Sequence, residues 1–252
     1  FSSKDLFPKF SAFSVNGPVE LTFLPVGKNE KTVVRSNIKV TNANVRIPSL
    51  ALKKKKGVYG KLKFNFTKDN KSSFEYSQNN VFISGGGIHE AIFKVNKVNY
   101  SSIKTPDIQI RGATFEKFSD YNQFKTNKGT ISLDFLTNLS FKNRKIPLDI
   151  VFSNIVVTSN DNVFLDSVKG EVRSFQGIRG YAKAELLSKS NLEVILSPTK
   201  DSGINLIISG NDAGELLRRG DYYNNGFGGI FKASIIYKDK NQIEGSVEIQ
   251  NF

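Results

Sequence analysis

The sequence predicts an all-β fold built as a long antiparallel meander, with one short helix near residues 212–219. Three observations predict it. Apolar and polar residues alternate with a period of two in segment after segment, short polar turns separate these segments, and a single stretch carries helix signals. No linker or tandem repeat interrupts the pattern, so residues 1–252 are taken as one β-rich segment of a larger protein, with a candidate sub-boundary near 142–147.

The alternation places large apolar side chains on one face of the predicted strands. It holds for eleven residues from Ile131 to Phe141, and it holds on both sides of the last turn, at residues 239–241. Alternate residues of a strand share a face. On this parity the apolar face comprises Leu62, Phe64, Phe66, Ile131, Leu133, Phe135, Leu192, Val194, Leu196, Ile204, Leu206, Ile208, Ile235, Tyr237, Val247 and Ile249.

The alternation leaves open what this apolar face contacts. A curled meander without a second sheet would form an open apolar groove, and soluble proteins seldom expose such a surface unless it is covered or used. A closed barrel or sandwich with a filled core gives the same alternation. The pattern therefore predicts a one-faced sheet and does not choose between a groove and a core.

Polar and glycine-rich segments predict the connections between strands. Lys53–Lys56 is interpreted as a solvated turn. Gly85–Gly87 is interpreted as a turn or β-bulge rather than a phosphate-binding loop, because no Lys-Ser/Thr pair and no helix signal follow it. Further turns are predicted at Asn16–Pro18, Lys68–Asn70, Asn127–Gly129, Asn160–Asn162 and Asp201–Gly203.

The helix near residues 212–219 is predicted from its capping residues. Asp212 and Glu215 form a capping-box pattern, in which each side chain can accept a hydrogen bond from a free backbone N–H of the first turn. Leu216 and Leu217 supply an apolar side, and the two arginines that follow suit the negative end of the helix dipole. Gly220 is predicted to end the helix in the left-handed conformation.

Composition excludes several classes of protein. The chain has no Cys, Met or Trp and a single His, His89, which excludes disulfide scaffolds, cysteine nucleophiles and poly-histidine metal sites. His89 and Glu90 are neighbours in a predicted strand, so their side chains would point to opposite faces and not to one substrate. We therefore expect no enzyme activity, no cofactor and no metal site.

The net charge of +13 first suggests an anionic partner such as nucleic acid. However, Lys outnumbers Arg 28 to 8, and the charge is spread along the chain except at Lys53–Lys56. Abundant Lys, Asn, Ile and Phe together are typical of AT-biased coding, whereas Arg is the usual reader of phosphates and bases. The sequence therefore predicts that nucleic acid is not the partner.

The C-terminal region carries a more specific signature. Asn211–Arg219 has the sequence N-D-A-G-E-L-L-R-R, Gly228–Phe231 has G-G-I-F, and Ile243–Phe252 has I-E-G-S-V-E-I-Q-N-F. This order resembles the D-A-G-x-L-L-R … G-G-x … x-G-x … F signature of the AsmA-like envelope proteins, in particular the branch with a YhdP-type domain before the AsmA-like C-terminal region. A second resemblance runs from Asn44 to Phe64, through N-V-R-I-P-S-L and G-V-Y-G to L-K-F.

The resemblance extends from about Phe13 to Phe252 and implies a function. Members of this family are anchored in the bacterial inner membrane and project through the periplasm as a β-taco-like groove, and they are similar to bridge-like lipid transfer proteins. It implies that this chain is a monomeric periplasmic segment that carries phospholipid acyl chains on its apolar face toward the outer membrane. Its membrane anchor is expected outside the fragment, since the chain starts at Phe1 and has no apolar run of about 18 residues.

Two other functions compete with lipid transport at this point. A structural or adhesion-like β-domain of the cell envelope would have a closed core and bind no lipid. A binder of anionic polymers would use the positive charge and lose affinity steeply as salt rises.

Overall fold

The protein is described by a computed structural model. It describes residues 14–28, 30–47, 52–69, 71–91, 94–133, 146–159, 162–186, 188–199, 203–220, 222–239 and 242–251. The chain divides into two compact units, Phe1–Phe118 and Ser119–Phe252, here called unit 1 and unit 2. Most of the candidate sub-boundary near 142–147 lies outside the described residues.

Unit 1 is built from antiparallel strands in two sheets. Its strands are β1 (Ser14–Asn16), β2 (Glu20–Phe23), β3 (Thr32–Lys39), β4 (Asn44–Ile47), β5 (Leu52–Lys54), β6 (Lys61–Thr67), β7 (Lys71–Gln78), β8 (Val81–Ala91), β9 (Lys94–Lys104) and β10 (Ile108–Lys117). The small sheet has the order β1-β4-β5, and the large sheet has β2, β3, β6, β7, β8, β9 and β10 as successive neighbours. The small sheet was not predicted, because the alternation suggested one continuous sheet.

Unit 2 contains the remaining strands and the helix. They are β11 (Asn122–Thr126), β12 (Gly129–Ser132), β13 (Leu148–Ser159), β14 (Asn162–Ser174), β15 (Ile178–Glu185), β16 (Asn191–Pro198), β17 (Ile204–Gly210), α1 (Ala213–Arg219), β18 (Ile230–Asp239) and β19 (Gln242–Gln250). Strands β13 to β19 pair with their neighbours in chain order, all antiparallel.

The predicted all-β fold with one short helix is confirmed. The meander is antiparallel as predicted, except that β11 and β12 both lie parallel to β13. Alternation shows which face a side chain occupies but not the direction of its strand, so these parallel pairs could not be predicted. The long predicted strand from Ile131 to Phe141 is described only as far as β12 and Leu133, since residues 134–145 lie outside the described part.

The Gly85–Gly87 segment lies inside β8, so the predicted turn is wrong there. The alternative prediction of a bulge matches a register shift between Ser84 and Gly85 in the pairing of β8 with β9. A Cβ atom on Gly85 would lie 2.4 Å from the carbonyl oxygen of Asn99 and 3.1 Å from Cζ of Phe74. Glycine is therefore required because a neighbouring backbone and an aromatic ring approach this position closely.

Candidate functional site

Each unit has a polar sheet face on which charges are paired across adjacent strands. These ion pairs join residues that are directly opposite each other in the strand register. Ion pairs of exposed side chains contribute at most about 1 kcal/mol each, so they identify the solvent face more than they stabilise the fold. The pairs are Lys39–Glu20 (3.0 Å), Lys63–Glu75 (2.7 Å), Lys97–Glu116 (3.2 Å), Arg173–Asp149 (2.6 Å) and Lys183–Glu193 (2.6 Å).

The opposite, apolar face of the large sheet of unit 1 is packed. One cross-strand row runs over six strands, from β3 to β10, and each of its side chains is at most 6% exposed. In the next row, the rings of Phe74 and Tyr100 meet edge to face with centroids 6.0 Å apart. This face of unit 1 is therefore a filled core. The six residues of the row are Ile38, Leu62, Tyr76, Ile83, Ile103 and Ile110.

Of the predicted apolar-face residues in unit 1, Leu62 belongs to this filled row. Phe64 and Phe66 lie on the same face in the two following rows and are half-buried. A buried leucine has no surface left for a ligand, so Leu62 serves packing.

A second apolar face, here called the β16–β19 apolar face, is formed in unit 2. The register places its residues in cross-strand rows, for example Leu196, Leu206 and Ile235 in one row. Ten predicted residues fall on this face, although their contact with lipid stays a prediction. The full face consists of Leu192, Val194, Leu196, Ile204, Leu206, Ile208, Phe231, Ala233, Ile235, Tyr237, Ile243, Val247 and Ile249.

The residues of this face are buried or half-buried on β16, β17 and β18 and exposed on β19. Leu192 is buried at 4%, and Val194 is half-buried. On β19, Ile243 is 64% exposed, Val247 is 60% exposed and Ile249 is 37% exposed. The face therefore begins in the interior of unit 2 and ends as apolar surface in water.

The buried end of this face belongs to the closed core of unit 2. Leu192 packs in a cluster with Ile155, Val157, Val168 and Ala184. The predicted residues Ile131 and Leu133 pack against the same cluster, as does Leu216 of α1. These side chains are used for packing, and Phe135 lies outside the described residues.

Helix α1 is capped partly as predicted. The Asp212 side chain accepts a hydrogen bond from the Glu215 backbone N–H at 2.8 Å. Gly220 ends the helix with φ −82°, so the predicted left-handed conformation is wrong. A Cβ atom at this position would lie 2.5 Å from Cδ2 of Tyr222, so this exposed ring would have to move to admit another residue.

A buried ion pair links α1 to neighbouring parts of unit 2. Arg219 Nε donates to Glu215 Oε1 at 3.0 Å, and both side chains are less than a tenth exposed. The other carboxylate oxygen of Glu215 accepts from the backbone N–H of Ser188 at 3.1 Å, and Arg219 Nη1 donates to the carbonyl oxygen of Phe164 at 2.8 Å. The pair thus joins the helix to the β15–β16 connection and to β14.

The prediction that Lys53–Lys56 is a solvated turn is wrong for Lys54. This side chain ends β5 and is 2% exposed. Its ammonium group donates to the carbonyl oxygens of Ala43 (2.7 Å), Lys55 (3.1 Å) and Thr41 (3.2 Å). Burial lowers the pKa of Lys54. A run of four lysines gives no sequence signal that one of them is a structural, buried residue.

Two exposed apolar surfaces were missed by the sequence analysis. On the polar face of unit 2, Tyr181, Ile195 and Ile207 form one cross-strand row and are each more than 40% exposed. In the loop after α1, Tyr222 is 82% exposed and Phe227 is 74% exposed. The second surface had a signal, because aromatic residues in a segment rich in Asn and Gly are unlikely core residues.

Polar groups do not converge on a reaction centre in the described residues. Among these residues, no group of three or more His, Asp or Glu side chains is placed to hold a metal ion. A hollow of about 530 Å³ in unit 1 is lined by polar residues such as Lys63, Glu75 and Ser84.

Hydrogen bonds from Lys71 and Thr67 lower the pKa of Asp69 to about 2. This carboxyl lies in a surface turn, so its lowered pKa results from the local hydrogen bonds of that turn.

The described helices include none that is both long enough and apolar enough to span a bilayer. Comparisons with protein-family models, with curated proteins and with solved structures gave no match.

Proposed function

We propose that the β16–β19 apolar face binds the acyl chains of phospholipid, and that the chain is a segment of an AsmA-like, bridge-like lipid transfer protein. In this proposal the parent protein is anchored in the bacterial inner membrane by segments outside residues 1–252. It carries phospholipid through the periplasm toward the outer membrane as a monomer. Its role is binding rather than catalysis, with no cofactor and no nucleic acid.

The apolar surface that the outer strand β19 leaves exposed is the observation that carries this proposal. One cross-strand row runs from half-buried Val194 and Ile208 through Ala233, which is 4% exposed, to Val247, which is 60% exposed. Apolar surface in water costs about 25 cal/mol per Å². A contiguous apolar face of this kind is typical of a binding surface, and an acyl chain lying across the strands would remove it from water.

The energetics favour passive exchange of lipid. Each CH₂ group buried on the face gains about 0.8 kcal/mol relative to water, which is also what a bilayer interior offers. Transfer of a chain between bilayer and protein is therefore close to neutral, while transfer into water is strongly unfavourable. The headgroup stays in water, so the face needs no residues specific for it.

The competing structural function is favoured by one observation, the filled core of unit 1. There the row from Ile38 to Ile110 is at most 6% exposed and leaves no surface for a ligand. If the lipid proposal fails, both units are best explained as closed structural β-domains.

Native mass spectrometry of the purified chain, with lipid extraction from the same sample, tests the proposal. The test variant is Leu206→Glu with Val247→Glu, which places two charges on the β16–β19 apolar face. The matched control is Ile195→Glu with Ile207→Glu, which places two charges on the same or adjacent strands but on the opposite face. Circular dichroism checks that both variants are folded.

We expect phospholipid to co-purify with the wild type and with the control variant and to be lost from the test variant. A charged carboxylate on the face is costly to bury under an acyl chain, which explains the loss. A wild-type chain that is stable without detergent and carries no lipid would overturn the proposal. Equal lipid in the two variants would also overturn it.

A further inference from the structure

The loop between α1 and β18, residues 222–229, displays aromatic rings in water. Tyr222 is 82% exposed, Phe227 is 74% exposed and Tyr223 is 48% exposed. Large aromatic side chains usually supply a protein with buried area, so rings exposed to this extent on a short loop need an explanation. Here the loop is called the aromatic loop.

The backbone of the aromatic loop is fixed against α1. The backbone N–H groups of Ala213 and Gly214 donate to the carbonyl oxygens of Gly229 (3.0 Å) and Gly228 (2.8 Å). At the other end of the loop, the Tyr222 N–H donates to a carbonyl of α1 at 2.9 Å. A Cβ atom on Gly214 would lie 2.5 Å from the carbonyl oxygen of Gly226, which shows how closely loop and helix pack.

Phe227 also makes a cation–π contact with Arg218. The guanidinium carbon of Arg218 lies 4.7 Å from the centre of the Phe227 ring, and Arg218 Nη1 donates to the carbonyl oxygen of Gly226. A cation over the face of an aromatic ring is attracted by the negative charge of that face. The Phe227 ring therefore contacts Arg218 of α1 and still exposes most of its surface, on a loop whose backbone is hydrogen-bonded to the helix.

We infer that the aromatic loop is a contact point for the surface of a phospholipid bilayer. Tyrosine rings combine an apolar body with a polar tip, and such rings are enriched where hydrocarbon meets water. Arg218 adds a cation at the level of the headgroups, and the net charge of +13 attracts the chain to an anionic membrane.

The size and place of the loop favour a bilayer over a protein partner. A stable protein interface buries about 800 Å² on each side, more than a loop of eight residues offers, whereas a bilayer contact needs only a few inserted rings. The loop leads into β18, whose Phe231 lies opposite Ile249 on the β16–β19 apolar face. Its contact with a membrane does not require that this face binds acyl chains, so the two proposals can fail separately.

Because the chain has no Trp, a single introduced Trp reports on the loop alone. The reporter variant is Phe227→Trp, which keeps a ring under Arg218. The control is Tyr59→Trp, at a residue of unit 1 that is 55% exposed. Both are mixed with vesicles of phosphatidylcholine, or of phosphatidylcholine and phosphatidylglycerol in equal amounts, with and without brominated lipid.

We expect a blue shift and quenching by brominated lipid for Trp at position 227 and neither for Trp at position 59. With the mixed vesicles the signal should persist at about 1 M salt, where the Debye length is about 3 Å and attraction by net charge is lost. The double variant Tyr222→Ser with Phe227→Ser should weaken vesicle binding at least about tenfold, since a buried ring contributes about 1.5–3 kcal/mol. Tyr59→Ser with Phe82→Ser is the matched control and should leave binding unchanged.

Three results would overturn the inference. One is equal quenching of the two reporters, and another is binding that disappears at high salt. The third is a Trp at position 227 that is already blue-shifted without vesicles in a dimeric chain, which would assign the loop to a contact between two copies. If vesicle binding is as expected but no lipid co-purifies, the loop inference stands and the acyl-chain proposal fails.

Discussion

The apolar face of the large sheet of unit 1 and the β16–β19 apolar face arise from the same sequence pattern but have different surroundings. In unit 1 the row from Ile38 to Ile110 is at most 6% exposed. In unit 2 the row from Val194 ends at Val247, which is 60% exposed. The comparison shows that alternation determines which side chains share a face, whereas burial depends on what else packs against that face.

Side-chain size is one physical reason for the difference. The face of unit 1 carries Phe74, Tyr76 and Tyr100, and aromatic side chains of this kind bury about 150–250 Å² each. Gly85 makes room for them, since a Cβ atom there would meet the Phe74 ring. The β16–β19 apolar face instead ends at β19, which is the last strand in the strand order and has β18 as its neighbour on one side, so its side chains keep exposed surface.

The largest expected effect comes from placing the same charge on the two faces. Ile83→Asp should destabilise unit 1 by more than about 5 kcal/mol, because it adds a buried, unpaired carboxylate to the loss of a fully buried isoleucine. Val247→Asp should change the free energy of unfolding by less than about 0.5 kcal/mol. Urea unfolding followed by circular dichroism measures both, and equal losses would show that the two faces do not differ.

A smaller loss of stability is expected when the ion pair between Glu215 and Arg219, which links α1 to the strands of unit 2, is broken. Glu215→Ala leaves the buried Arg219 guanidinium without its carboxylate and should cost about 3–5 kcal/mol. Replacing both residues together, Glu215→Leu with Arg219→Met, should cost clearly less, because no unpaired charge stays buried. A double variant as unstable as the single one would contradict this account of the ion pair.

A substitution at Lys54 tests how much its hydrogen bonds stabilise the small sheet of unit 1. Lys54→Met keeps the length of the side chain but removes three hydrogen bonds to carbonyl oxygens. Those of Thr41 and Lys55 still accept from backbone N–H groups, so a loss of about 1–3 kcal/mol is expected mainly from the Ala43 carbonyl. Lys53→Met is the control, since Lys53 is exposed.

The lowered pKa of Lys54 predicts that the stability of the protein depends on pH. Burial lowers the pKa of Lys54 below the ordinary 10.5, so between the folded and unfolded pKa values the unfolded chain binds more protons. Stability from this group should therefore rise as pH rises through that window toward 10.5. Unfolding measured against pH should show that rise in the wild type and lose it in Lys54→Met; an unchanged profile would contradict the assignment.

The smallest effect is expected on the polar faces. Lys183→Ser removes an exposed cross-strand ion pair with Glu193 and should cost less than about 1 kcal/mol. The loss should shrink further in high salt, since screening already weakens the pair. A large, salt-independent loss would mean that the polar face is packed against something, unlike the solvent face described above.

The fold was predictable from the sequence to the extent that it depends on local pattern. Alternation at Leu196, Leu206 and Ile235 placed these residues on one face, and the register has them side by side in one row. The Asp212 cap was likewise predictable, because it depends on residues three apart in the chain.

Apart from the conformation of Gly220, the failures depend on features outside the local sequence pattern. Lys54 is buried by carbonyl groups of residues 41 and 43, and Gly85 is required by a ring on the neighbouring strand. The parallel pairing of β11 and β12 with β13 depends on chain direction, to which alternation is insensitive. The aromatic loop had a sequence signal, its rings among Asn and Gly, but how far those rings are exposed depends on the tertiary structure.

The sequence by itself determined the all-β class, the position of the helix and which side chains share a face, because these follow from backbone geometry and local hydrogen bonding. Only the tertiary structure decided that one apolar face is a core and that the other reaches solvent at β19. It also decided that one lysine of the run at 53–56 is buried and that two rings of the loop after α1 stand in water. The burial of a side chain depends on its contacts with residues from many strands, and a local sequence pattern does not specify those contacts.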